Sequence, residues 1–323
     1  MNKEKPVIAV VIPCYKVRDK ILDVLARIPV EVAHIICVDD ACPEQSGNFI
    51  KQSSADKRVK VLFHEKNQGV GGAMVTGYRE ALGTDADIIV KVDGDGQMAP
   101  ELIPLFIAPI LRGQCDYTKG NRFFKPEGVQ FMPVLRLLGN GVLSFLNKLS
   151  SGYWSIFDPT NGYTAIHVRV LRQIPLDKLD HSYFFESDIL FRLNVLRAMV
   201  MDIPMVAVYG DEKSSLSMRR VLWPFIKGHA RNFCKRVVYS YFLRDFHIAS
   251  LELVLGIIFM SFGVIFGGAE WIAGSKSGVT ASAGTVMLSA LPVILGFQML
   301  LSFLQFDIQS VPRFPLHPNL ADR

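Results

Sequence analysis

The chain is poor in cysteine and in charge. Its 323 residues hold five cysteines, Cys14, Cys37, Cys42, Cys115 and Cys234, with no CxxC pair among them. That odd, scattered set supports neither a disulfide framework nor a zinc site, and it points to a reducing compartment. Only 20% of residues are charged while 50% are hydrophobic, and mean hydropathy is +0.27. This is too apolar for an ordinary soluble enzyme and too charged for a pure membrane bundle, so a mixed protein is expected. The net charge of +5 is modest; its distribution matters more, and no nucleic-acid partner is expected. The N-terminal apolar run "VIAVVIP" is short and stops at Pro13. It lacks a signal peptide's long apolar region and small-residue cleavage site, so it reads as a first strand in a cytoplasmic domain.

Several standard ligand motifs are missing too. "DGDGQM" starts like an EF-hand loop, but Met98 and Pro104 stand where glycine and glutamate are required. "NQGVGGAMVTG" is not GxGxxG, since residue 74 is Met, and no GK[ST] follows it. His64, His167, His181 and His229 lack ligand spacing.

What is there, to about residue 120, is an alternation of short apolar runs with helical stretches. "VIAVVIP", "EVAHIICVDD", "RVKVLFHE" and "DADIIVKVDGD" read as strands; "KILDVLARI" and "GVGGAMVTGYREAL" read as helices. Near-continuous apolar strands between helices imply an α/β fold, a parallel sheet covered on both faces. Ligands of such sheets bind beyond the carboxyl ends of the strands. Both acidic pairs, Asp39/Asp40 and Asp93/Asp95, fall at such ends. A DxD there suits one Mg²⁺ or Mn²⁺ bridging to a diphosphate, because these ions keep several sites for water and phosphate oxygens. The glycine-rich stretch from Asn67 through Gly72 suits either phosphate at a helix N-terminus or tight packing.

From Arg219 to His247, aromatic and apolar residues interleave with seven cations, Arg219, Arg220, Lys227, Arg231, Lys235, Arg236 and Arg244. Such a segment is expected to lie on a bilayer surface. Residues 249–273 are apolar apart from Glu252 and Glu270, and residues 279–306 carry no charge. Each is long enough to cross about 30 Å of hydrocarbon at 1.5 Å per residue. The short link "GSKSG" makes them a hairpin, through which a homo-oligomer could form. The cations precede the first span and the link holds only Lys276, so the N-terminal domain is expected on the cytoplasmic face of a bacterial inner membrane or its equivalent. The expected division is a catalytic domain at 1–218, interfacial helices at 219–248, two membrane helices at 249–306 and a cytoplasmic tail at 307–323.

"VVIPCY", "VDD", "NQGVGGAMVTG" and "DGDGQ" occur in the motif order of the inverting family 2 glycosyltransferases. The chain resembles in particular the polyprenyl-phosphate sugar synthases, including dolichyl-phosphate mannose synthase. The likeness runs on through "GNRF", "FDPTNGY", "ESDILFR" and "YGDEKSSL", over roughly residues 6 to 216. It implies a GT-A doubly wound, mostly parallel sheet. It also implies transfer of a hexose from GDP-mannose or a UDP-hexose to polyprenyl or dolichyl phosphate, with Mg²⁺ or Mn²⁺. By resemblance, Pro13, Tyr15, Asp39, Asp40, Asn67, Gly72 and Lys213 meet the nucleotide sugar, and Asp93, Asp95 and Gln97 hold metal and diphosphate. Arg122, Arg136 and Asn140 meet the lipid phosphate, for which arginine's planar fork is suited. Asp158 and Asp188 are the carboxylates available as base or orienting group. Two motifs depart from the family pattern: "YNE" is Tyr15-Lys16-Val17, and "DDGSxDxT" is "DDACPEQS". Both line the base and ribose pocket in the family, so the nucleotide stays open. The rival readings are a processive or glycan-directed family 2 enzyme, against which "SMRRVLW" lacks the QxxRW motif, and a non-catalytic membrane scaffold.

Overall fold

The computed structural model describes residues 5–124, 134–205 and 218–321, with side chains except at 134–138 and 218–222. The first strands are β1 (Ile8–Cys14), β2 (Val32–Asp39), β3 (Val59–Phe63) and β4 (Ile88–Lys91). Between them run α1 (Arg18–Ala26), α2 (Ser46–Ser53) and α3 (Gly69–Leu82). Next come α4 (Ile103–Leu111), β5 (Tyr117–Asn121), α5 (Val134–Ser151), β6 (Thr164–His167) and α6 (Val168–Leu171). After them come α7 (Phe185–Leu196), β7 (Val200–Pro204) and α8 (Met218–Val238).

The seven strands form one sheet in the order β3-β2-β1-β4-β6-β5-β7. β1 pairs in parallel with both β2 and β4, and their buried Val and Ile side chains fill the core. A strand buried on both faces needs such a continuous apolar run. β6 runs antiparallel to β4 and to β5. Its register pairs Lys91 with Thr164, so the chain just before β6 meets the chain just after β4. That one reversed strand brings "FDPTNG" beside the DxD.

The described residues divide into two compact units, 1–233 with 312–323, and 234–311. This division departs from the expected one at both ends. The tail is part of the first unit: the main-chain N–H groups of Leu316 and His317 and the His317 ring all bond Asp116, at 2.8–2.9 Å. The His317 ring stacks on His167, 4.3 Å between centroids. His167 pairs with Ile88 at the start of β4, so this clasp lies at the sheet end away from the DxD.

In the second unit, a π-helical turn at Tyr239–Arg244 leads to α9 (Ile248–Ser277) and α10 (Ala283–Gln309). Both helices are long and apolar enough to cross a membrane. Only 22% and 11% of their most apolar stretches is buried, unlike the core helices of a soluble protein. The two pack where Gly256 meets Gly296 and Gly263 meets Ser289 and Val293, as small residues allow in a bilayer. Arg236 forks onto Asp307 at 2.6 and 3.0 Å, and Tyr241 donates to the same carboxylate. Arg236 is therefore an internal ion pair, not one of the surface cations.

Candidate active site

The turn after β4 carries Asp93 and Asp95 between small residues. Gly96 is left-handed (φ 77), and Asp95 Oδ1 accepts from the main-chain N–H of Gln97 at 3.0 Å. The Gln97 side chain is exposed. Behind Asp93 sits Lys91, its side chain 1% exposed, 2.9 Å from Asp93 Oδ1 and 3.0 Å from Glu186 Oε1. Burial alone pulls the Lys91 ammonium toward neutrality, but Asp93 and Glu186 outweigh it and keep the lysine charged. Burial pushes the Glu186 carboxyl above its usual range, against the pull of Lys91. Opposite, Gly162 faces the same groups, and a Cβ there would strike Lys91 Nζ and Asp93 Oδ2. Asp93 Oδ1 is buried, and the Lys91 ammonium 2.9 Å away is its close partner.

Hard carboxylate oxygens on an open turn fit Mg²⁺ or Mn²⁺. Among the described residues no cluster of three or more His, Cys, Asp or Glu is placed to hold a metal. An ion at Asp93 and Asp95 would therefore draw most of its ligands from phosphate and water.

The loop after β5 brings Arg122 onto Asp158 in a two-pronged pair, both contacts 2.7 Å. Asp158 also accepts from the Arg122 N–H at 3.1 Å and Asn161 Nδ2 at 3.2 Å. Burial pushes its carboxyl up, but these partners and Lys119 prevail and hold it below the usual range. Lys119 is wholly buried, its ammonium on the carbonyls of Gly120 and Asp158. Sequence reading thus finds Arg122 and Asp158 separately; the structure joins them as one ion pair.

Asp188 is placed elsewhere. Fully buried on α7, it accepts from the Asp180 N–H, from Arg192 and from Asn232 on α8, at 2.9–3.1 Å. Residues two apart on a helix point to nearly opposite sides. Glu186 turns to the DxD and Asp188 turns to α8, whose His229 bonds Ser150 of α5 at 2.7 Å.

The other acidic pair is occupied by main chain. Asp39 accepts from the N–H groups of Cys42 and Gly47 at 2.7 and 2.6 Å. Asp40 accepts from those of Gln68 and Gly69, each 2.8 Å, and contacts His64 Nδ1 at 2.7 Å. It serves as the anion at the α3 N-terminus. Asn67 donates to the Asp40 carbonyl. The N–H groups of Gly71 and Gly72 go to the His181 carbonyl at 2.9 and 3.2 Å, so this helix start packs on protein. Pro13 pairs with Val38 at the sheet's end, Tyr15 is 45% exposed beyond it, and Asn140 is half-buried on α5. Lys213 and the Arg136 side chain lie outside the described residues.

Lys91 carries no motif, and Glu186 opens "ESDILFR", a stretch singled out in the sequence only for Asp188. The available signal was a lysine closing an otherwise apolar strand, two residues before the DxD.

The family described as "Glycosyl transferase family 2" matches residues 9–175. The UDP-N-acetylglucosamine–dolichyl-phosphate N-acetylglucosaminyltransferase of Methanococcus voltae is 28% identical over 63% of this chain and 86% of its own. The undecaprenyl-phosphate mannosyltransferase of Micrococcus luteus is 28% identical over 64% and 86%. Among solved structures, glucosyl-3-phosphoglycerate synthase from Mycobacterium tuberculosis, crystallised with UDP, superposes with a TM-score of 0.53 at 17% identity, over 72% of this chain and 80% of that one. The last likeness shows the GT-A fold. The sequence match spans β1 through β6 and includes the DxD turn and the Arg122–Asp158 pair, so the chain belongs to glycosyl transferase family 2 and is a glycosyltransferase.

Proposed function

We propose that this glycosyltransferase moves a hexose from a nucleotide sugar to a polyprenyl monophosphate at the cytoplasmic face of a membrane, with inversion at the anomeric carbon. The observation that carries this is the Arg122–Asp158 pair, set on the loop after β5 while the DxD stands at the end of β4, with β6 between the two strands. The names of the relatives support the acceptor class. The apolar helices of the second unit support a lipid-borne substrate.

In this reading Asp93, Asp95 and Gln97 hold a divalent cation and the donor diphosphate. The cation, when bound, offsets charge on the departing nucleotide. Pro13 and Tyr15 border the nucleoside, while Asp39, Asp40, Asn67 and Gly72 shape the loops around it. Arg122 and Arg136 offer positive charge to the acceptor's phosphate oxygens, with the neutral Asn140 amide as a donor beside them, and Lys213 offers positive charge to the donor phosphates. A lipid phosphate is already largely ionised at neutral pH, so an oxygen of it attacks the anomeric carbon directly. The bond to the nucleoside diphosphate breaks on the opposite side, and the diphosphate keeps the electron pair. Asp158 acts as the group that orients Arg122, and Asp188 as the group that fixes α8. The cations preceding α9, against one lysine in the link to α10, support the cytoplasmic orientation.

The test uses detergent-purified protein with Mn²⁺ or Mg²⁺, a panel of UDP- and GDP-sugars, and undecaprenyl or dolichyl phosphate. One donor should release nucleoside diphosphate only with the lipid present. Asp95→Asn or EDTA should lower that rate at least about 100-fold. Release that persists in Asp95→Asn contradicts the site.

A further inference from the structure

Beneath the exposed turn three charges stand in a row. The Lys91 ammonium lies between Asp93 Oδ1, 2.9 Å away, and Glu186 Oε1, 3.0 Å away. Lys91 is 1% exposed at its side chain and Glu186 10%, whereas Asp93 is 29% exposed. The outermost carboxylate is therefore the one placed to meet a ligand. Asp93 has little freedom to leave the ammonium. The antiparallel register that pairs Lys91 with Thr164 sets Gly162 directly across from it, close enough that a Cβ would strike both side chains.

Resting on the reading of Asp93 and Asp95 as metal and diphosphate ligands, we propose that the buried Lys91–Glu186 pair sets the turn's affinity for a divalent cation. Lys91 keeps it low until a diphosphate is present. An ammonium 2.9 Å from a ligand carboxylate opposes a second cation on that carboxylate, since the repulsion is strong where water is excluded. Glu186 offsets part of that repulsion by drawing on the same ammonium. Take the ammonium away and Asp93 and Glu186 face one another, with Asp95 two residues on, an arrangement that attracts a metal with no nucleotide. With Lys91 in place, the shortfall is made up by the two phosphates of the donor. Lys91 and Glu186 are positioning residues in this account: each acts through Asp93.

The charges predict opposite signs, which a merely structural role does not. Free Mn²⁺ is followed by its electron paramagnetic resonance signal, in full-length detergent-purified protein, with Mn²⁺ alone and with UDP or GDP added. Lys91→Met should bind Mn²⁺ alone about tenfold tighter than the unaltered protein, and Glu186→Gln severalfold weaker. The double variant, in which both charges are gone, should return to within about threefold of the original value. Nucleotide should then strengthen Mn²⁺ binding less in Lys91→Met than in the unaltered protein. If Lys91→Met does not fold, the double variant decides: near-original affinity supports the proposal and a large loss overturns it. Weaker binding in both single variants also overturns it, while Mn²⁺ bound with nucleotide in the unaltered protein would leave the metal site standing. If no variant binds Mn²⁺ under any condition, the metal-site reading and this proposal fall together.

Discussion

At the scale of single residues, the nucleotide-side loop carries a cost that its sequence discloses only in hindsight. Lys16, Ala41 and Gln45 all have left-handed backbone, with φ of 57, 51 and 53. Ala41 stands where the family's "DDGS" pattern has glycine. A left-handed alanine costs about 1 kcal/mol relative to glycine, and the loop is held in place by Asp39, which ties down the Cys42 and Gly47 N–H groups. Ala41→Gly should therefore raise stability by about 0.5–1 kcal/mol, read as a higher midpoint in thermal or denaturant unfolding. An unchanged or lower midpoint would mean that the loop relaxes at no cost. Candidate residues were legible in this region because their types are distinctive, but their partners were not. Asp39 and Asp40 read as residues that meet a nucleoside, and the main-chain N–H groups their carboxylates also accept from were not legible. Lys91 and Glu186 are 95 positions apart, and no local pattern links them.

At the scale of elements, strands were the most legible feature. Runs such as "IAVVIPC" have little choice but a sheet buried on both faces, and the parallel half follows from the helices between them. The reversed β6 was not legible, because "TAIH" is four residues long and carries no direction. Yet its register is what brings Gly162 to Asp93. The glycine-rich start of α3 left two readings open, phosphate or packing, and the structure places protein against it. Gly71 lies on the Asp180–His181 main chain, where a Cβ would fall 2.8 Å from His181 Cα. Because backbone cannot yield as a side chain can, Gly71→Ala should destabilise by about 2 kcal/mol. Thermal unfolding checks this, and a loss below a few tenths would show that α3 can shift. The α7–α8 contact through Asp188 was equally hidden, since Asn232 is 44 residues away.

At the scale of the whole chain, composition carried the division into an enzyme-like part and an apolar hairpin. It could not show where the tail belongs. His317 bonds Asp116 across 201 positions, a pairing that depends wholly on the fold. The chain thus leaves the first unit through α8 and has its last described residues back in that unit. Such a chain is suited to an acceptor with a charged head and a membrane-bound tail. The measurement that bears most directly on this is the fate of the sugar. Isotope-labelled donor, chosen by the release assay, is incubated with the protein and undecaprenyl phosphate, and the organic extract is analysed by mass spectrometry. The account predicts one hexose on the lipid monophosphate, absent with Asp95→Asn. Label found in a water-soluble polymer, or sugar joined to anything but the lipid phosphate, would contradict it.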